Sequence, residues 1–200
     1  MNLVGAATLG LGLGVLTGIP LGVINVAIVD AAVARRRSFA LGLGLGGATA
    51  DAIHAALAFL GIGRLVAAHP DWMRALAIAA AAIILGYAVL SWRRGEQRTT
   101  TPEGTGAARG FATGIALTLP NPGALAAWAA VAASLWPAAQ TAEALVFAAC
   151  VGVGSALWFT VLGRIVGRVR RDHPALRHAP RIALVLFALL ALIGLVRAFS

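Results

Sequence analysis

Six long apolar stretches, separated by short polar segments, run through this chain: Leu3 to Val29, Phe39 to Val66, Met73 to Trp92, Phe111 to Trp136, Glu143 to Gly163 and Arg181 to Phe199. Each approaches or exceeds the ~20 helical residues that cross a hydrocarbon core. Lipid offers no partner for a free backbone N–H or C=O, so these stretches must be helices or pieces of helices. Composition agrees: 60% of the residues are hydrophobic, 12% are charged and the mean hydropathy is +0.89. A soluble domain carries roughly a quarter charged residues. The first stretch lacks a basic leading region and continues past the length of a secretory signal, so it reads as a retained span. The expected fold is an all-α membrane protein with six transmembrane helices.

The polar linker Gly95 to Gly106, rich in Gly and Thr, divides the chain into two groups of three spans. Three is odd, so the halves insert with opposite orientation. The expected organisation is therefore a first three-helix repeat over 1–94, a cytoplasmic linker over 95–109 and a second repeat over 110–200. Inverted repeats with interrupted helices are a common plan among secondary transporters, with the binding site at the interruptions. The first span is interrupted by Gly18-Ile19-Pro20-Leu21-Gly22 and the fourth by Leu119-Pro120-Asn121-Pro122-Gly123. Proline removes a backbone donor and can open a new half-helix, whose N-terminal amides attract anions. Asn25 and Asn121 add side-chain amides beside the breaks.

Asp51 and His54 lie inside the second span. A carboxyl at the centre of a membrane helix costs roughly 2.5–3.5 kcal/mol on insertion scales, which marks it as functional. Three residues apart on a helix, the two groups share a face. The residues expected to bind solute or couple its movement are thus Asp51, His54, Pro20, Gly22, Asn25, Asn121 and Pro122. Glycines four apart, at Gly10, Gly14, Gly18 and Gly22 and again at Gly42 and Gly46, predict close helix packing. Asp30 is expected to pair with the arginines that follow it. Trp128 and Trp158, inside their spans, read as packing or lipid-facing residues with a place on the path as the alternative.

All sixteen basic residues are arginines, giving a net charge of +9. Loops 1, 3 and 5 with their flanks hold thirteen: Arg35 to Arg37; Arg93, Arg94, Arg98 and Arg109; Arg164, Arg168, Arg170, Arg171, Arg177 and Arg181. Only Arg64, Arg74 and Arg197 fall on the other side. The bias places those loops in the cytoplasm and both termini outside, and explains the charge without nucleic acid. Cys150 is the single cysteine, so a dithiol electron carrier is excluded. No lysine exists to complete a phosphate loop, and no cofactor or resident metal is expected.

The run from Pro20-Leu21-Gly22 through Arg35-Arg36-Arg37 to Gly47-Ala48-Thr49-Ala50-Asp51-Ala52-Ile53-His54, followed by Asn121-Pro122, resembles the LysE-type exporters, which include homoserine and threonine exporters. Members typically carry Pro-Gly-Pro in the first span, a basic first loop, Gly-Asp-x-x-His in the second span and Asn-Pro in the fourth. Pro20, Asp51, His54, Asn121 and Pro122 match, while Gly22 replaces the second proline and Ala50 the glycine. The resemblance implies secondary export of amino acids or related small metabolites across the cytoplasmic membrane, driven by an ion gradient, with protons the expected partner. A neutral amino acid is favoured, because the spans lack the acidic cluster a cationic solute would want. A metal-cation exporter of the same superfamily and a non-transporting membrane assembly subunit are the alternatives, and a homo-oligomer is left open as a partner. Reporter fusions after Ser38 and after Ser200 are expected to report cytoplasm and exterior respectively. The same compartment at both points overturns the six-span scheme.

Overall fold

The computed structural model describes residues 2–19, 22–61, 68–96, 103–135, 140–168 and 174–199. Among the described residues are eight helices and no strand: α1 Leu3–Gly18, α2 Val23–Val33, α3 Arg37–Phe59, α4 Pro70–Glu96, α5 Glu103–Thr118, α6 Pro122–Leu135, α7 Thr141–Arg168 and α8 Pro174–Phe199. The first and fourth stretches are broken where glycine and proline predicted. α1 and α2, which flank the undescribed residues 20–21, meet at 66°, and α5 and α6 meet at 71°.

Two single helices are long and apolar enough to cross a membrane, Pro70–Leu90 within α4 and Thr141–Arg168, and the bent pairs raise the number to four. The apolar part of α8, Arg181–Val196, is shorter. α3 has the length, at 23 residues, but its glycines, Asp51 and His54 dilute its hydropathy. The second stretch leaves the helix earlier than expected. Leu60 and Gly61 turn the chain, with Gly61 at φ 86, a region where only glycine is unstrained.

Helix extends into 95–109 from both sides, with α4 continuing to Glu96 and α5 beginning at Glu103. The physical reason is packing: Gly110 lies against the Phe39 carbonyl of α3, and Gly106 approaches Ser38 and Phe39. Loop 1 is pinned more tightly than its charge implies. Arg36 N–H bonds the Ala31 carbonyl and Arg35 N–H bonds that of Ala32, closing α2 with Arg35 at φ 60, where glycine is usual. The Arg35 guanidinium donates to the Gly167 carbonyl in the last turn of α7. Arg36 pairs with Asp30 at 3.1 Å, the ion pair the sequence predicts.

Glycines set the helix packing. Gly10 and Gly14 of α1 rest on the carbonyls of Phe147 and Val151 of α7, while Gly154 of α7 rests on Leu11. The same pattern recurs between α5 and α3: Gly110 and Gly114 meet the carbonyls of Phe39 and Leu43, and Gly46 meets Phe111. Within each pair the register advances in the same direction along both helices, so the two run parallel. α3 and α7 cross antiparallel, with Gly44 against Phe159 and Gly152 against Ala48 and Ala52. At these contacts there is no room for even a methyl group. Gly14→Ala and Gly46→Ala are each expected to destabilise by about 1–3 kcal/mol, seen as a lower Tm of the detergent-solubilised protein. Gly12→Ala, where an added Cβ meets nothing within 4 Å, should leave the Tm unchanged or raise it.

Candidate functional site

The site follows from what proline does to the fourth span. Pro120 and Pro122 have no amide proton, so the carbonyls of Ala116 and Thr118 lose their ordinary helical donors. Asn121 N–H turns to the Thr118 carbonyl at 3.1 Å. The Asn121 side-chain oxygen accepts from Gly123 N at 3.0 Å and Ala124 N at 3.4 Å, capping α6. Pro122 occupies the first turn of that helix, where no donor is missed. The Leu119 carbonyl is then met from another helix: His54 Nε2 of α3 lies 2.9 Å from it. A carbonyl only accepts, so Nε2 carries the proton. In the neutral ring this leaves Nδ1 as a bare acceptor, and among the described residues it has no partner although His54 is 1% exposed. Thr118 Oγ1 at the same break is likewise buried without a partner among the described residues.

The first break is served from α7. Asn25, buried in the first turn of α2, donates from Nδ2 to the Gly18 carbonyl at 2.7 Å. Its Oδ1 accepts from Trp158 Nε1 at 3.2 Å. The Trp158 indole packs on Gly18, where any side chain would strike it. Gly22 is the N-cap of α2 and brings no side-chain cap. Pro20 lies outside the described residues. Thus six of the seven expected residues are described. Asn25 and Asn121 differ in use, the first tying α1, α2 and α7 together and the second turned onto its own helix.

Asp51 sits between the two breaks. Its carboxyl is half-buried beside Ser155 of α7, whose Oγ donates to the Gly14 carbonyl of α1 at 3.2 Å. One turn earlier on the same face, Gly47 packs on Ile24 in the first turn of α2. Polar groups therefore stand on both helices of the α3–α7 contact: His54 at the Leu119 carbonyl and Asp51 one turn before it on α3, and on α7 Ser155 at the Gly14 carbonyl and Trp158 at Asn25, which holds the Gly18 carbonyl. Ser155 and Trp158 are what the spacing of motifs leaves out. Their signal is faint: a hydroxyl in the small-residue run Gly152-Val153-Gly154-Ser155, and an indole one turn beyond it. Trp158 is a hydrogen-bonded packing residue of the break, while Trp128 is buried against Phe147 at 6.0 Å between ring centroids. Among the described residues no three His, Cys, Asp or Glu side chains gather where they could hold one metal ion.

Two broken helices whose freed carbonyls are held by buried side chains, His54 of α3 and Asn25 of α2, with Asp51 one turn from His54, accord with the expected resemblance. The model of the LysE type translocator family matches residues 15–198. The chain belongs to that family. No curated protein and no solved structure matches it. As a LysE-type translocator it is a multi-pass membrane protein that exports small solutes, and its family is one of transporters and not of enzymes.

Asn25→Ala is expected to destabilise this translocator by about 1–3 kcal/mol, because it strands the Gly18 carbonyl and the Trp158 N–H together. Trp158→Phe should have a smaller effect. The double variant should fall short of their sum, since both remove one shared bond, and thermal unfolding of the four proteins measures it.

Proposed function

We propose that the chain is a secondary-active, proton-coupled exporter of amino acids or related small metabolites, a neutral amino acid for preference, across the cytoplasmic membrane. Six spans form two inverted repeats, 1–94 and 110–200, joined by the segment 95–109, with both termini outside. Solute and coupling groups are Asp51, His54, Pro20, Gly22, Asn25, Asn121 and Pro122. The observation that carries the reading is that each helix break has a carbonyl held by a buried side chain, His54 at Leu119 and Asn25, bonded to Trp158, at Gly18, with the Asp51 carboxyl one turn from His54. Buried polar side chains inside a membrane are expensive, and they persist where they face one another or a wet path.

The repeat is supported by contacts that come in exchanged pairs. α1 packs on α7 as α5 packs on α3; α3 meets α6 as α7 meets α2; α2 meets α8 as α6 meets α4. Gly10 and Gly14 correspond to Gly110 and Gly114, and continuing that register sets Pro20 opposite Pro120. The parallel and antiparallel senses of these pairs are those of spans one and five, two and four, and two and five in a six-span chain.

For proton coupling, the support is chemical. Asp51 is the one carboxyl of α3, and His54 offers a bare Nδ1 one turn away, so protonation can be exchanged there as one break or the other opens to water. In proteoliposomes loaded with a panel of amino acids, the wild type is expected to drive efflux of its solute against a gradient when a pH gradient is imposed. Asp51→Asn keeps shape and hydrogen bonding but cannot titrate, so it should abolish pH-driven accumulation while sparing insertion and solute exchange. His54→Gln should give a milder defect. Normal uphill transport by Asp51→Asn ends the coupling role.

A further inference from the structure

The second break has donors and acceptors in unequal number. Each backbone N–H present from Leu119 to Leu125 has an acceptor: Leu119 bonds the Ile115 carbonyl, Asn121 that of Thr118, Gly123 and Ala124 the Asn121 side chain, and Leu125 the Asn121 carbonyl. Pro120 and Pro122 have no N–H to offer. The start of α6 therefore keeps no amide for a carboxylate, although the start of a helix is ordinarily where an anion binds. Acceptors remain. His54 Nδ1 is buried and unpartnered among the described residues, while Nε2 is committed to the Leu119 carbonyl at 2.9 Å. The Ala116 carbonyl has lost the helical donor that Pro120 lacks.

Thr118 departs from the habit of other threonines in this chain. Within a helix a threonine hydroxyl can return to the carbonyl three or four residues back. Thr8, Thr17, Thr49 and Thr113 do so, donating to Val4, Leu13, Leu45 and Arg109 at 2.7–3.0 Å. The Thr118 hydroxyl, in the last turn of α5, has no such bond to Gly114 and no other partner among the described residues, and its oxygen is buried. It stands one residue before the carbonyl that His54 holds. A buried hydroxyl that forgoes the bond at hand costs free energy unless another group takes it.

We propose that His54 Nδ1 and Thr118 Oγ1 receive the primary ammonium group of the exported solute. The inference rests on the export reading above and names the group by which that solute is held at the second break. An ammonium carries three N–H donors and no acceptor, which suits a neutral imidazole nitrogen, a hydroxyl oxygen and a freed carbonyl. Its charge needs an opposite one in a low dielectric, and Asp51 stands one turn before His54 on α3. A quaternary ammonium has the charge without the N–H bonds, and a carboxylate brings only more acceptors, so neither fits. Nor does a metal ion, for which among the described residues no third His, Cys, Asp or Glu joins these two.

The test uses the full chain in nanodiscs at about pH 8, where alkylamines are charged and free imidazoles neutral. The probes are n-butylammonium, tetramethylammonium and butyrate, read by thermal unfolding. n-Butylammonium is expected to raise the Tm saturably, from which its Kd follows, while the other two leave the Tm unchanged. Thr118→Val removes a hydroxyl without a partner among the described residues, so the unliganded Tm should hold or rise, while n-butylammonium should bind about tenfold or more weakly. Thr118→Ser should restore the binding, and Thr113→Val, which loses a hydroxyl bonded within its own helix, should not change it. In the nitrogen-15 spectrum of histidine-labelled protein, the Nδ1 signal that His54→Gln removes should move when n-butylammonium is added. If Thr118→Val binds n-butylammonium as the wild type does, if the His54 signal stays in place, or if butyrate or tetramethylammonium stabilises equally, the inference is overturned; a site that holds only water gives the first two of these results. Uphill amino-acid flux separates the two readings. Flux with an unchanged KM in Thr118→Val ends the ammonium site and leaves export standing, whereas n-butylammonium bound through Thr118 with no amino acid pumped ends the export reading and leaves the site.

Discussion

A carbonyl without a donor has no solvent to turn to inside a bilayer, and the rest of this structure is arranged around that fact. Proline and glycine break two helices, and each break exposes backbone that another helix must reach. His54 of α3 reaches the Leu119 carbonyl, and Asn25, steadied by Trp158 of α7, reaches that of Gly18. α3 supplies the first group and α2 the second, and α7, which crosses α3, steadies the second through Trp158. Opening either break therefore disturbs a contact of one helix of that crossing.

Glycine makes such an arrangement both close and smooth. Where α1 meets α7 and α5 meets α3, carbonyls sit against α-carbons with no side chain to interlock. Packing of this kind gains from dispersion and weak C–H···O contacts over the whole length of the helices, and no ridge opposes sliding or tilting. Specific polar links must then fix the register. Ser155 to Gly14, His54 to Leu119 and Arg35 to Gly167 supply them at three levels of the molecule.

The two breaks differ in their chemistry. At the second break an asparagine caps α6 from its own N-terminus, and at the first a glycine starts α2 with no side-chain cap. The carboxyl and imidazole belong to α3 alone; α7 carries a serine and an indole in the same region.

The sequence by itself determined that this chain is helical and embedded in lipid, where its helices break, and which ionisable pair lies at depth. Those properties follow from hydropathy, from the missing amide of proline and from helical spacing, all of them local. Residues such as Asp51, His54 and Asn121 carry strong signals because their types are costly or conformationally unusual where they stand. Only the tertiary structure decided what each polar group holds. That Asn121 is spent on its own helix is a choice among local partners, whereas the bonds of Trp158 to Asn25 and of Ser155 to Gly14 depend on helices more than a hundred residues apart in the chain meeting at one register. Hydrogen-bond partners are fixed by the distance and direction between separate helices, and backbone carbonyls, the acceptors at both breaks, are the same atoms at every position and leave no mark in a sequence.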